Sequence, residues 1–253
     1  MLAIIIIGDE ILSGQVSDEN LPFMIERFSR AGYPPREVRI IGDNVALISR
    51  TVRELLDSYT YVVTAGGVGP THDDLTHAGV AAAFGVGLEA HPHMMTFLGA
   101  TAGSDLPPNV KRMAMLPRGS EVIGGDDGHW PIIRWRNCFM LPGLPHALRD
   151  KIPRLVALLP RLSPAWDAAV YLNADEVLFA DWLDELQRSH CEVSIGSYPV
   201  VHNPDFRTRI TISATDPHAV GSLTAQIERY ARDRNWHVRT QNPVSRGGMT
   251  DGA

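Results

Sequence analysis

Between Thr64 and Thr76 the chain reads TAGGVGPTHDDLT, a stretch whose residue types and spacing suit an anionic ligand. Gly66, Gly67 and Gly69 carry no β-carbon, so the main chain can come close to a bound group there. Successive amides freed by such a turn form a concave anion site. A helix starting just beyond it adds the positive end of its dipole. Pro70 lies within the same turn, and Thr71 and Thr76 offer hydroxyl donors. Asp73 and Asp74 stand against this reading, because two carboxylates beside a phosphate repel it. A divalent cation shared by carboxylate and phosphate removes the conflict, and Mg²⁺ commonly binds in this way.

Other phosphate motifs fit less well. A dinucleotide fingerprint counted from Gly67 needs its third glycine where His72 stands, and no GK[ST] is present. Two readings of the loop stay open. Thr71 and Asp74 have capping-box spacing, and glycines after a strand often do no more than make a tight turn. Of Asp73 and Asp74, one reads as structural and the other as ligand-facing. Asp9 and Glu10 are a second acidic pair. Alone they read as a solvated helix start, and they gain weight only if they share a sheet edge with the glycine loop. Ser17, Asp18 and Asn20 read as caps. His72 could touch a phosphate or donate a proton, although a loop histidine more often does neither. Lys111 fits a phosphate contact or a solvated surface equally well. His91 and His93 flank Pro92 at a spacing that could suit a metal, with surface placement the simpler reading.

The elements around these residues must carry them to one place. Leu2 to Ile7 is an unbroken aliphatic run, as in a central parallel strand covered on both faces. A helix is expected over 18–31, with Leu21, Met24, Ile25 and Phe28 on one face. Then follow a strand over 37–41, a helix capped by Asp43 or Asn44 with Ile48, Val52 and Leu55 inward, and a strand over 61–65. The glycine loop comes next, and then a helix to Phe84. Alternation at this spacing implies right-handed βαβ crossovers and a mostly parallel sheet. Ligands of such sheets sit beyond the carboxyl ends of the strands, where Asp9, Glu10 and the glycine loop all fall.

Beyond this, 89–100 reads as a helix, 131–136 and 138–141 as paired strands, and the stretch to Leu159 as another helix. After the proline-rich break at 160–164 the pattern becomes βαββαβ. Asp216 and Pro217 open its second helix, whose buried stripe is Val220, Leu223, Ile227 and Tyr230. The expected organisation is an α/β domain over 1–162, a small α+β domain over 166–242 and a loose tail over 243–253.

Composition narrows the partners. The chain has 253 residues, enough for one large domain or a medium and a small one. It carries 23 basic against 29 acidic residues, a net charge of −6, with no Lys/Arg run. That balance argues against nucleic acid and against an anionic membrane surface. Cys138 and Cys191 make neither a disulfide framework nor a zinc site, and they read as small core residues in a reducing cytoplasm. The run 2–7 is too short to span a bilayer and lacks the features of a signal peptide.

GDEILSG (Gly8 to Gly14), followed by Asp18 and Asn20, resembles the opening motif of the molybdopterin-binding domain family. TAGGVGPTHDDLT resembles that family's central signature. Two branches are most similar: the amino-terminal domain of competence/damage-inducible protein A, and that of eukaryotic-type FAD synthase. GGVGPTHDD, LPGLP (Leu141 to Pro145), ADE (Ala174 to Glu176) and GSYP (Gly196 to Pro199) are similar to the FAD-synthase type. The resemblance implies a three-layer doubly wound α/β fold with a nucleotide or pterin-phosphate pocket on the glycine loop, and a KH-like small domain without a GXXG loop. It also implies divalent-metal-dependent (Mg, Mn or Co) pyrophosphate hydrolysis of FAD or ADP-ribose, or else molybdopterin binding without turnover. Carried onto this sequence, Asp9, Glu10, Asp73 and Asp74 would surround metal and phosphates, with Asp9, Asp73 and Asp74 catalytic and Asp9, Glu10 and Asp74 on the metal. Gly66, Gly67, Gly69, Pro70, Thr71 and Thr76 would hold the anion. A homodimer or homotrimer is the family expectation. Both branches usually carry a further carboxy-terminal catalytic domain, which this sequence lacks, so FAD synthesis and nicotinamide-nucleotide deamidation are not expected of it.

Overall fold

A computed structural model describes residues 1–103, 105–163 and 165–246. The chain divides into two compact units, the first comprising Met1–Ser29 and Tyr33–Pro160, the second Arg30–Gly32 and the described residues from Arg161 onward. The first unit runs β1 (Leu2–Ile7), α1 (Asp9–Leu12), α2 (Asn20–Arg30), β2 (Pro35–Ile41), α3 (Val45–Ser58), β3 (Tyr61–Ala65) and α4 (Thr76–Ala83). It continues with β4 (Leu88–Ala90), α5 (Pro92–Ala102), α6 (Pro108–Arg112), β5 (Met115–Pro117), β6 (Glu121–Ile123), β7 (Ile132–Trp135), β8 (Cys138–Leu141) and α7 (Pro145–Leu158).

Six strands form one sheet in the order β2-β1-β3-β8-β7-β6. β1 pairs in parallel with β2 and β3, and β3 in parallel with β8. The β8–β7 and β7–β6 pairs are antiparallel, so the sheet is mostly parallel, as the alternation of elements implied. Every residue of β1 is buried, which requires cover on both faces. Ala3, Ile5 and Ile7 share one core with Ile48, Val52 and Leu55 of α3 and Val80 and Ala83 of α4. Leu2, Ile4 and Ile6 point to the opposite face, as strand alternation dictates. The buried stripes of α2 (Met24, Phe28) and α7 (Leu148, Ile152, Leu155) lie outside that core. Phe28 is fully buried, and truncating such a side chain to Ala costs about 3–5 kcal/mol.

Local chemistry sets the boundaries. Asn44 rather than Asp43 caps α3, its side chain accepting from Leu47 N at 3.0 Å. Residues 89–100 are not one helix: Glu89 pairs in β4, and Pro92 in the first turn starts α5, because proline has no amide to leave unsatisfied there. Ile25, expected on the inner face of α2, is 40% exposed. Of the two thiols only Cys138 is in the core, where burial pushes its pKa up to about 12, whereas Cys191 is exposed.

The second unit is β9 (Trp166–Leu172), a 3₁₀ turn (Glu176–Leu178), α8 (Ala180–Ser189), β10 (Ser194–Pro199), β11 (Thr208–Ala214), α9 (Pro217–Arg232) and β12 (His237–Ser245). Its sheet, β10-β11-β9-β12, is antiparallel throughout. Asp216 caps α9 by accepting from His218 N at 2.9 Å. Val220, Leu223 and Ile227 enter the core, and Tyr230 stacks on Trp182 at its margin with ring centroids 3.6 Å apart. The stretch expected to be loose from 243 instead begins inside β12, where Val244 pairs with Asp167. Arg246 Nε donates to Asp167 Oδ2 at 2.6 Å, which ties down that end of the strand. The rest of that stretch, 247–253, lies outside the described residues. Among the described residues, no helix is long and apolar enough to cross a membrane.

Candidate functional site

Four neighbouring strands, β2, β1, β3 and β8, run parallel and release their following loops at one edge of the sheet. These loops are Gly42–Asp43, Gly8–Glu10, the glycine loop and Pro142–Leu144. They border a cavity of about 960 Å³ that Glu10, Asp43, Gly67, Val68, Asp73 and Gly143 all help to line. The crevice beyond the carboxyl ends of parallel strands is where α/β sheets accept ligands.

The glycine loop is pinned before any ligand is considered. Gly66 N donates to Leu141 O at 3.1 Å, which ties the loop to the end of β8. Gly66 has φ +107°, and a Cβ there would sit 2.1 Å from Ile7 O, so only glycine fits. Gly67 has φ +66°, and its Cβ would meet the Thr76 hydroxyl at 2.4 Å. Both glycines are therefore demanded by close approach of the protein to itself, not by a ligand.

The structure gives Thr76 and Asp74 roles different from those expected. Thr76 is fully buried, and its Oγ1 donates to Gly66 O at 2.7 Å while its amide donates to Gly67 O at 2.9 Å. It clamps the loop to α4 and has no donor left for an anion. Asp74 accepts from Gly69 N at 2.6 Å, Thr71 N at 2.7 Å and Thr71 Oγ1 at 2.5 Å. Its carboxylate thus occupies the amides of Gly69 and Thr71, in the manner of an internal anion. Pro70 has no amide hydrogen to offer. Of the six residues expected to hold an anion, only Gly67 keeps an amide without a protein acceptor among the described residues, and the adjoining Val68 amide is in the same state. Arg112 of α6, next in sequence to Lys111, donates to Thr71 O at 3.0 Å, placing a guanidinium beside the loop.

The acidic cluster is wider than Asp9, Glu10 and Asp73. Asp9 N donates to Asp43 Oδ2 at 2.9 Å and Asp43 N to Asp9 Oδ1 at 3.3 Å, locking the loops after β1 and β2 together. Gly42 permits this, since a Cβ there would lie 2.3 Å from Asp9 Oδ1. Burial holds the Asp43 carboxyl above the usual carboxylate range, and the charges of Asp9, Glu10 and Asp73 push in the same direction, partly offset by the Asp9 amide. Among the described residues, no three His, Cys, Asp or Glu side chains converge as a ready-made metal shell. Asp73 and Asp74 both line the cavity, Asp73 exposed and Asp74 with its carboxylate engaged by the amides of its own loop.

Sequence reasoning missed four contributors. Asp43 was read only as a cap, because nothing in the linear sequence joins it to Asp9. Asn20 is buried beneath the cavity, donating from Nδ2 to Gly143 O at 2.7 Å, whereas Asp18 caps α2 through the amides of Asn20 and Leu21. His129 and Asp150 line one rim of the cavity, with Nδ1 and Oδ2 3.2 Å apart. That rim is held by Lys151, whose buried Nζ donates to Pro131 O at 2.6 Å and to Trp130 O. Burial lowers the Lys151 pKa to about 7. His72 is exposed and is not among the residues lining the cavity. His91 stands at the N-cap position of α5 without a side-chain capping bond, and His93 Nε2 lies 3.8 Å from Asp126 Oδ1.

A mostly parallel sheet covered on both faces, with a cavity at the carboxyl edge of its central strands, defines a doubly wound α/β domain, here joined to a smaller α+β unit. Residues 3–163 match the family model described as "Probable molybdopterin binding domain", and residues 164–236 match "FAD synthase, middle domain". The chain belongs to the molybdopterin-binding domain family. A "Probable FAD synthase" of Caenorhabditis elegans is 31% identical over 89% of this chain and 49% of its own length. The chain therefore spans about half of that relative. A protein of Archaeoglobus fulgidus is 29% identical over 91% of this chain and 98% of its own. The crystal structure of CinA, a protein of unknown function from Thermoplasma acidophilum, superposes with a TM-score of 0.56 at 27% identity, covering 61% of this chain and 94% of that one.

Proposed function

We propose that this chain binds the diphosphate of a nucleotide or pterin ligand in the carboxyl-edge cavity and hydrolyses it with the help of a divalent cation, acting on FAD- or ADP-ribose-like diphosphates. The observation that carries the reading is the pair of amides at Gly67 and Val68, without an acceptor among the described residues, beside the cavity-lining acids Glu10, Asp43 and Asp73, with Asp9, which does not line the cavity, held against Asp43. Amides alone would attract a phosphate that the acids repel. The charges of Asp9, Glu10 and Asp73 all act on Asp43 and raise its pKa. Hard carboxylate oxygens of this kind suit Mg²⁺, Mn²⁺ or Co²⁺. Mg²⁺ is commonly held by one or two carboxylates together with water and substrate phosphate.

Such a cation, when bound, would neutralise the diphosphate and acidify a coordinated water. The chain's own residues do the rest. Gly67 and Val68 amides hold a non-bridging oxygen, and Asp43 and Asp9 orient one another through their reciprocal amides. His129, aligned by Asp150, is within the cavity to carry a proton. Incubation of the pure protein with FAD and with ADP-ribose, each with Mg²⁺, Mn²⁺ and Co²⁺ in turn, should release the two monophosphates. No product with any of the three cations refutes hydrolysis of these substrates.

A second reading, pterin-phosphate binding without turnover, is favoured by the internal engagement of Asp74, which removes one acid from the cation's reach. The two readings part on EDTA. Tight molybdopterin binding that survives the chelator supports a binding module, and nucleotide affinity lost with the chelator supports the hydrolase.

A further inference from the structure

Asn20 lines the cavity, touches the LPGLP loop and is 6% exposed. Its Nδ2 donates to Gly143 O at 2.7 Å. That bond fixes the orientation of the amide, because a carbonyl can face only the nitrogen. Oδ1 is left buried with no hydrogen-bond partner. A buried acceptor without a donor is costly, and native folds rarely keep one that nothing fills. Gly143 packs on the glycine loop, since a Cβ built on it would lie 3.3 Å from Gly66 Cα. The open acceptor therefore sits one residue contact from the loop proposed to hold the phosphate.

We infer that Asn20 Oδ1 accepts a hydrogen bond from an O–H or N–H donor on the organic part of the bound ligand, next to its phosphate. Asn20 is then a specificity-determining residue that favours nucleoside or pterin phosphates over bare inorganic phosphates. This inference rests on the phosphate-binding reading above and adds to it the group that is recognised beside the phosphate.

Calorimetric titration of the full chain with ADP-ribose, ribose 5-phosphate and inorganic pyrophosphate, at fixed Mg²⁺, tests it. Asn20→Leu should weaken ADP-ribose about tenfold, as the loss of one good hydrogen bond does, and leave pyrophosphate within about twofold. An equal penalty on ribose 5-phosphate identifies the donor as a sugar hydroxyl, and a penalty confined to ADP-ribose identifies it as a ring amine. Equal losses for ADP-ribose and pyrophosphate, or no loss for either, overturn the assignment. If the variant does not fold, the wild-type side-chain amide resonance of Asn20 serves instead. It should move on adding ADP-ribose and stay put with pyrophosphate, and an unmoved resonance overturns the assignment equally. Wild-type protein that binds none of the three ligands refutes the phosphate-site reading itself, and this inference with it.

Discussion

Asp9 and Asp43 each accept the other's main-chain amide, at 3.3 Å for the amide of Asp43 and 2.9 Å for that of Asp9. Two like charges are thereby held side by side at the ends of adjacent strands, an arrangement that costs energy unless a cation is shared. Asp43→Asn should leave the fold intact and lower metal-supported turnover by at least about 10–100-fold, the range seen when groups around a metal are removed. Steady-state hydrolysis of ADP-ribose with Mn²⁺ measures it. Turnover within twofold of the wild type excludes Asp43 from the site.

Asp74 should behave differently from Asp73. Asp74→Ala frees the amides of Gly69 and Thr71 and loosens the loop, costing about 1–3 kcal/mol in denaturant unfolding. Asp73→Ala, at an exposed position, should change stability by less than about 0.5 kcal/mol while weakening cation-dependent binding. Equal stability of the two variants contradicts the division of labour between these neighbours.

Much of this was legible in the sequence, and the gaps have physical causes. The aliphatic run of β1 and the helical spacing of Ile48, Val52 and Leu55 are local patterns, and they place the sheet and one covering layer correctly. Thr71 and Asp74 also announced their pairing through capping-box spacing. Asp43 did not, because its partner Asp9 is 34 residues away and only the β1–β2 register brings the two together. Thr76 looked like a donor because hydroxyl chemistry is visible in a sequence and burial is not. Its engagement with Gly66 O depends on α4 returning over the loop. Likewise Asn20 has the composition of a cap, and only the contact with Gly143 reveals it as part of a cavity wall.

Loop closure makes a further prediction. Thr76→Val preserves shape but leaves Gly66 O without its hydroxyl donor, and should cost about 1–3 kcal/mol. Gly66→Ala should be far worse, since it combines a positive φ with a clash against Ile7 O. Thermal melts of both variants check the order, and a Gly66→Ala protein as stable as Thr76→Val would contradict the close approach at Gly66.

His77 of α4 gives a pH dependence. Burial lowers its pKa to about 4, opposed by the Asp74 charge and a hydrogen bond with the Met115 backbone. The unfolded histidine, near pH 6.5, binds a proton that the folded one refuses, so stability is whole above about pH 6.5 and falls as pH drops toward 4. Between pH 7 and pH 5 the loss from this residue should be about 1–2 kcal/mol. Urea unfolding of the wild type and His77→Gln at both pH values isolates it, because the substituted protein should lack that part of the slope. Parallel slopes would mean that the imidazole titrates normally in the folded chain.

The reciprocal grip of Asp9 on Asp43 and the hold of Leu141 on Gly66 each span two strands, so no single hairpin or βα segment carries a usable fragment of the pocket. The proposed pocket exists only in the assembled edge. A bound diphosphate should therefore delay amide exchange cooperatively along β2, β1, β3 and β8, making occupancy itself a reporter that this half of the chain has finished folding.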